Sequence, residues 1–381
     1  MNATEHSAHA AAMAVNPAVQ DTATRTQTRH VTTRSLTFHV REAGAGEPVV
    51  FLHGFPQDSW MWRRHLATLG APGGDLHCIA PDMRGFGATD KPRERVTRQL
   101  LARDVIDLID ALGVDRVSLV GHDWGGIIAS AVALQYPHRV RRLALIDTLC
   151  TTWIPWAVHG WWFKDEPRPE RFFAAHGRAF VASLFAGTKP PYGGWPEVPW
   201  LPPSSRLDPS PWWSAADVQH YVDVFDDPDT WFNAISYYRD ALPFHRRAGG
   251  GGAQHVSNAR IGAEWSSTPS TPRAPNASWY PDFAPEDRHL TYKGPTLLIY
   301  SRYLAPGPFT GLAPGRLPAD DIFSASGPGS DEFTASFHRH FPALRTRASA
   351  AGHFIPEEDP VRTEQCLREW LTWTPNEGAP T

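Results

Sequence analysis

Between residues 30 and 150 two periodicities take turns along the chain. Short runs that are apolar at nearly every position, "PVVFLHG", "LHCIAPDMRGFGATDKP" in its first half, "RVSLVGHD" and "VRRLALID", predict buried β-strands. Between them, "QLLARDVIDLIDALGV" and "WGGIIASAVALQYP" place apolar residues every three to four positions and stop at Gly113 and Pro137, which predicts helices. Ahead of the series, "HVTTRSLTFHVREAG" alternates residue by residue, the pattern of edge strands. Strand and helix in alternation predict an α/β fold, an open and mostly parallel sheet flanked by helices.

The alternation breaks after Cys150. Residues 151–290 are rich in Trp, Pro and charged side chains, with helical pieces such as "AADVQHYVDVF" and "PDTWFNAISYYRDAL", and predict a helical cap inserted into the sheet. Inside it, residues 246–290 are polar and rich in Gly, Ser and Pro, and read as a flexible insert without chemistry. The sheet pattern resumes at "GPTLLIYS", continues through the helical "DEFTASFHRHF" and the strand "ALRTRASA", and passes "GHFIPEEDP" before a last amphipathic helix, "VRTEQCLREWLTW". The expected organisation is a disordered tail over 1–28, core over 29–150, cap over 151–290 and the second half of the core over 291–381.

Composition narrows the partners. The chain has 381 residues, 41% of them hydrophobic, and 16 Trp, so it can build a large core and still line a pocket with aromatic side chains. A formal net charge of −4 without basic clusters argues against nucleic acid and membrane surfaces. A small molecule is the expected partner, acted on by a monomer or homodimer. Cys78, Cys150 and Cys366 have neither metal-like nor redox spacing and read as buried thiols in a reducing compartment. The first twenty residues lack a secretory pattern and no apolar run is of membrane-spanning length, so a cytoplasmic location is expected.

Candidate chemistry gathers at strand ends, where open α/β sheets bind their ligands. His53, Asp123, Asp147 and His353 all stand at or just after the end of a predicted strand. In "LVGHDWGGII", Gly121, Gly125 and Gly126 surround Asp123 with the small residues that a sharp strand-to-helix turn requires, and such a turn presents a nucleophile. A carboxylate there can attack carbon and form an ester, which suits an epoxide or a carbon–halogen bond. His353 is the candidate base for hydrolysing that ester. A carboxylate should orient it. Asp147 is better placed than Asp320 or Asp321, which lie in the long loop after "TLLIY".

The backbone N–H groups of Phe55 and Trp124 are in position to hold an oxyanion. A lone Asp at a strand end is usually a turn residue and a lone His simply hydrogen-bonded, but here each needs the others for one mechanism. His122 reads as structural, and Glu357 to Asp359 as the charged first turn of the last helix. Attack, proton transfer and charge stabilisation all come from side chains and backbone, so no metal or organic cofactor is expected.

These residues resemble the α/β-hydrolases with an aspartate nucleophile: epoxide hydrolases, haloalkane dehalogenases and haloacetate dehalogenases. The resemblance rests on "HGFPQDSWMW", "DMRGFGATDKP", "GHDWGG", "DDPDTWFNAISYYRD" and "AGHFIPEEDP", and covers residues 30–245 and 290–375. It implies an α/β-hydrolase fold with a cap, Asp123 as nucleophile, His353 as base, and Asp147, 24 residues after Asp123, as the acid. It further implies that Tyr238 protonates an epoxide oxygen; the second tyrosine expected near Gly160 is absent, which leaves Tyr238 alone or with help from His159 or Trp161. Trp124, Trp161 and Tyr238 would be the donors to a halide in a dehalogenase, and His53 and Pro56 would complete the substrate wall. In haloacetate dehalogenases arginines follow the nucleophile, where this chain has Trp124 and Ile127. Hydrolysis of an apolar epoxide to a diol is therefore the favoured expectation, with dehalogenation as the alternative and a non-catalytic small-molecule binder as the remote one.

Overall fold

The computed structural model describes residues 25–153, 159–186, 212–247, 253–258, 282–301 and 332–374. The chain opens with β1 (Gln27–Thr32), β2 (Thr37–Gly44) and β3 (Glu47–Leu52), then α1 (Arg63–Leu69), β4 (Leu76–Pro81), α2 (Arg98–Ala111), β5 (Val117–His122), α3 (Trp124–Gln135) and β6 (Val140–Ile146). The cap follows as α4 (His159–Trp162), α5 (Arg168–Ala186), α6 (Ala215–Val224), α7 (Pro228–Arg239), and the short β7 (His245–Arg247) and β8 (Ala253–His255). The core then resumes with β9 (Thr296–Ser301), α8 (Glu332–His340), β10 (Leu344–Ser349), α9 (Ile355–Glu358) and α10 (Pro360–Thr372).

Among the described residues, eight strands form one sheet in the order β1-β2-β4-β3-β5-β6-β9-β10. The pairs β1–β2 and β2–β4 are antiparallel, and β4–β3, β3–β5, β5–β6, β6–β9 and β9–β10 are parallel. The sequence explains the division. Every residue of β5 is buried, as befits a central strand covered on both faces, whereas β1 at the edge exposes most of its residues. Helix α3 is apolar on every side, and every residue from Trp124 to Leu134 is buried. This is the open, mostly parallel α/β architecture expected from the alternation, with the helical cap between β6 and β9, and it agrees with the α/β-hydrolase fold that the resemblance implies.

Two expectations about boundaries are corrected. β1 begins at Gln27, inside the stretch read as a tail. Residues 282–290, grouped by composition with the insert, pack on the core instead. Asp287 is buried and accepts from Arg98 Nη1 at 2.5 Å and from Gln135 Nε2 at 3.1 Å, while Asp282 bridges to Thr152 and His245. Local polarity made Asp287 look solvated because its partners lie far away in sequence. Most of the remaining insert, and the loop with Asp320 and Asp321, lie outside the described residues.

Candidate active site

Strands β3 and β5 are neighbours, but β3 connects through α1 to β4 on one side while β5 connects through α3 to β6 on the other. Crossovers that leave in opposite directions open a crevice at the strand ends. The loop after β3 and the turn after β5 meet there. Asp123 sits on that turn with φ 50° and ψ −118°, a conformation that few side-chain-bearing residues adopt and that is found where function imposes it. The turn is tight because its neighbours lack side chains. A Cβ on Gly121 would lie 2.3 Å from the Gly125 carbonyl oxygen, and one on Gly125 2.2 Å from that of Leu52. Thr148 Oγ1 donates to the Asp123 carbonyl at 2.5 Å and secures the turn from β6.

Across the crevice, Gly54 allows the β3 loop to close on the carboxylate, since a Cβ there would lie 2.4 Å from Asp123 Cβ. Phe55 N–H then donates to Asp123 Oδ1 at 2.8 Å, and the Trp124 N–H beside it also favours the charged carboxylate. The Phe55 N–H is one of the two donors expected from sequence. Asp123 Oδ2 faces His353 Nε2 at 3.7 Å, beyond hydrogen-bond length. His353 Nδ1 is 2.6 Å from Asp147 Oδ2, and Asp147 Oδ1 accepts from Ser301 N–H at 2.6 Å. Asp123, His353 and Asp147 thus lie in one line, from the ends of β5, β10 and β6.

Their electrostatics follow from this line. Burial raises the Asp123 pKa, opposed by His353 and the two backbone donors. For His353 burial works against the charged ring, but the Asp147 hydrogen bond and the charges of Asp147 and Asp123 outweigh it and raise the pKa from 6.5 to about 9. Side-chain exposures of 39% for His353, 19% for Asp123 and 1% for Asp147 leave the first two open to water and the third protected. His122 holds the loop from below, its Nε2 donating to the His353 carbonyl at 2.9 Å, and burial keeps its pKa well below the usual value. That is the structural role expected of it.

From the cap, Tyr238 on α7 comes within electrostatic range of Asp123 and lies against Trp124. Its ring stacks on Phe163 at 4.1 Å and meets Trp124 at 5.1 Å and Phe55 at 5.6 Å. Burial pushes the phenol pKa well above 10, and the Asp123 charge adds to this, so the hydroxyl keeps its proton. His159 meets Tyr238 at 5.6 Å, and burial with the nearby His353 charge lowers it to about 3, leaving a neutral imidazole.

Other expected wall residues are placed elsewhere. His53 is buried with both ring nitrogens engaged by backbone, Nε2 accepting from Met83 N–H at 2.8 Å and Nδ1 donating to the Gly54 carbonyl at 3.0 Å. A strand-end histidine is thus spent on fixing the loop that carries Phe55, and the substrate-wall reading is corrected. Pro56 is buried in the same loop behind a cis peptide bond. Trp161 is fully buried against Phe244 at 4.8 Å, so it packs the cap interior and does not present an accessible indole to a substrate or halide.

Three contributors escaped the sequence reading. Ser301 supplies a backbone donor, for which no side-chain signal exists. Lys164 is buried in the cap, where its Nζ donates to the carbonyls of Tyr238, Arg239 and Leu242 at 2.9, 3.1 and 2.6 Å, closing the C-terminal end of α7 beneath Tyr238. The acids after His353 do not form one charged first turn. Asp359 caps α10, Glu358 accepts from Phe354 N–H at 3.0 Å and from Gly352 N–H, and Glu357 is buried in a polar cluster. Only a helix-capping signal was visible locally, and it belonged to Asp359 alone.

A family model described as the alpha/beta hydrolase fold matches residues 47–225. The chain is similar to Epoxide hydrolase 2 of Siraitia grosvenorii, 43% identical over 115 residues, which are 30% of this chain and 36% of that relative. It is also similar to Epoxide hydrolase 4 of Mus musculus, 29% identical over 220 residues, 54% of this chain and 56% of that relative. The matches therefore span from 36% to 56% of the length of these curated relatives. Epoxide hydrolase VrEH1 from Vigna radiata shares the fold, with a TM-score of 0.60 at 20% identity over 92% of this chain and 99% of that structure. Among the described residues no helix is long and apolar enough to cross a membrane. Sheet order, the turn after β5 and the matched family model agree: the chain has the α/β-hydrolase fold.

Proposed function

We propose that this protein is an epoxide hydrolase that works through a covalent ester on Asp123. The observation that carries the reading is the division of labour on one carboxylate. Oδ1 is held by the Phe55 N–H at 2.8 Å, while Oδ2 faces His353 across a gap of 3.7 Å. Oδ2 would attack an epoxide carbon, opening the ring as Tyr238 gives its proton to the leaving oxygen. Imidazolium His353 then returns a proton to the Tyr238 phenolate through water and becomes the neutral base.

In the second step His353 takes a proton from water, whose oxygen adds to the ester carbon. Charge gathers on Oδ1, which the Phe55 N–H already holds, with the Trp124 N–H beside the same carboxylate. Collapse expels the diol oxygen, which takes the proton from the new carboxylic acid and regenerates the Asp123 carboxylate. The sum is epoxide plus water giving diol. The aromatic surroundings of the site, Phe55, Phe163, Phe225 and Tyr238, favour an apolar epoxide.

The test pairs aryl and alkyl epoxides with short haloalkanes and haloacetates, read as diol formation and halide release. Diol from epoxides, with an ester mass on Asp123 trapped in His353→Gln, is expected. Halide release without diol would replace the reading with dehalogenation, and turnover without an adduct would remove the covalent step. Binding without turnover of any of them, unchanged in Asp123→Asn, would make the protein a binder. A cytoplasmic location, action as a monomer or homodimer, and independence from metals and cofactors belong to the same proposal.

A further inference from the structure

Glu357 stands on α9, four residues after His353, with its carboxylate buried. Four donors converge on it. Arg63 Nη1 reaches Oε1 at 2.6 Å, and Gln57 Nε2, Trp213 Nε1 and Tyr221 Oη reach Oε2 at 2.6, 2.7 and 2.9 Å. They come from separate parts of the fold: Arg63 from the start of α1, Trp213 and Tyr221 from the cap, and Gln57 from the loop that presents Phe55. That loop is a turn closed by Gln57 N–H on the Gly54 carbonyl at 2.9 Å, with the Phe55 N–H between its ends.

We infer that Glu357 is a positioning residue for the oxyanion donor, holding the Gly54–Gln57 turn through the Gln57 side chain so that the Phe55 N–H stays fixed on Asp123 Oδ1. The inference rests on the covalent mechanism proposed above and names a residue that acts through another. A purely architectural ion pair would need only Arg63 and Glu357. Here Gln57 spends its amide on the carboxylate while its own Oε1 is buried without a partner among the described residues, an arrangement that serves the tether rather than the amide. Preorganised donors act through their fixed position, and a displacement of about 1 Å can cost about a hundredfold in rate.

Oxyanion charge is greatest when water adds to the ester, so the tether should matter most in that step. Gln57→Met removes the tether and leaves the other three donors on Glu357. In single-turnover measurements with an epoxide, ester hydrolysis should slow by about tenfold while ester formation stays within about twofold, since the donor is loosened and not deleted. Because the ester then accumulates, kcat and KM should fall together. Tyr221 also accepts from Gln57 Nε2 at 3.3 Å, so the control is Trp213→Phe, which removes a donor from the same oxygen without taking a partner from Gln57 and should leave ester hydrolysis within about twofold. Glu357→Gln should show the Gln57→Met defect together with lower thermal stability.

Normal ester hydrolysis in Gln57→Met, or an equal loss in Trp213→Phe, overturns the inference while an adduct in His353→Gln keeps the mechanism. No adduct in His353→Gln overturns the mechanism and the inference with it.

Discussion

Replacing Asp147 by Asn keeps the size of the side chain and inverts what His353 receives from it. The Ser301 N–H donates to Oδ1 at 2.6 Å, so an asparagine must keep its carbonyl oxygen there. Its NH2 then points at His353 Nδ1, which the carboxylate now meets at 2.6 Å. A donor facing Nδ1 makes that nitrogen the acceptor and moves the ring proton to Nε2, the nitrogen facing Asp123 and the attacking water. The imidazole then cannot accept a proton where it is needed. In a serine enzyme the same inversion costs about 10⁴ in kcat, equivalent to about 5.5 kcal/mol, and a loss of that order is expected here in ester hydrolysis.

Ester formation depends on Asp123 and Tyr238 and should fall far less. The variant should therefore form the ester and keep it. Rapid-quench samples analysed by intact mass spectrometry separate the two rates, and histidine chemical shifts followed against pH should show the His353 pKa moved down from about 9, because a neutral amide replaces the nearer of two carboxylates. Ester hydrolysis within about tenfold of wild type would refute the argument. The orienting acid would then have to come from elsewhere, with Asp320 and Asp321 the residues to test next.

Tyr238→Phe should slow ester formation from epoxides by about a hundredfold or more and leave ester hydrolysis within about threefold, as befits an acid used only in ring opening; equal losses in both steps would reject that role. Gly54→Ala should abolish activity in a folded protein, because its methyl group would come within 2.5 Å of Asp123 Oδ1, and normal turnover with unchanged circular dichroism would contradict the geometry. Lys164→Met leaves three buried carbonyls without their donor and should cost about 3 kcal/mol in urea unfolding; a loss below about 1 kcal/mol would mean that water replaces it. The pKa of His353 is raised by folding, so its contribution to stability is complete below pH 6.5 and is lost as the pH rises through about 9. Lys164, lowered to about 7 by burial, titrates in the opposite sense, so the His353 contribution is read as the difference in thermal midpoint between wild type and His353→Gln.

Legibility in the sequence followed the range of the interactions. The turn at Asp123 could be read because its steric demands fall on Gly121, Gly125 and Gly126, all within three residues. Asp147 and His353 could be placed because strand ends converge in a parallel sheet. His53 shared that position and was read alike, although its partner, the Met83 N–H, gives no sign in the sequence. Glu357 defeated local reading for the same reason, since its donors Gln57, Trp213 and Tyr221 stand 300, 144 and 136 residues away. Trp161 and Lys164 share the run "GWWFKDEP", where nothing shows that the charged side chain is buried as deeply as the aromatic ones. Side chains that touch distant backbone or distant donors change meaning only when the chain is folded.

The register of the sheet itself sets the chemistry of the base. Strands β5 and β6 pair with His122 opposite Ile146, so the next residues on each, Asp123 and Asp147, are two carboxylates held side by side, both at positive φ, 50° and 43°. Two adjacent anions repel, and an imidazolium between them relieves both, which is why the His353 pKa lies near 9. At 3.7 Å unit charges attract by about 4.5 kcal/mol at an effective dielectric of about 20, and by less here because part of the imidazole faces water. Forming the ester erases the Asp123 charge and this attraction with it. The ring then loses its proton more readily at the step where a base is required, so the reaction's own progress converts His353 from counter-ion to base, and a neutral ester mimic on Asp123 should lower the His353 pKa without any other change in the protein.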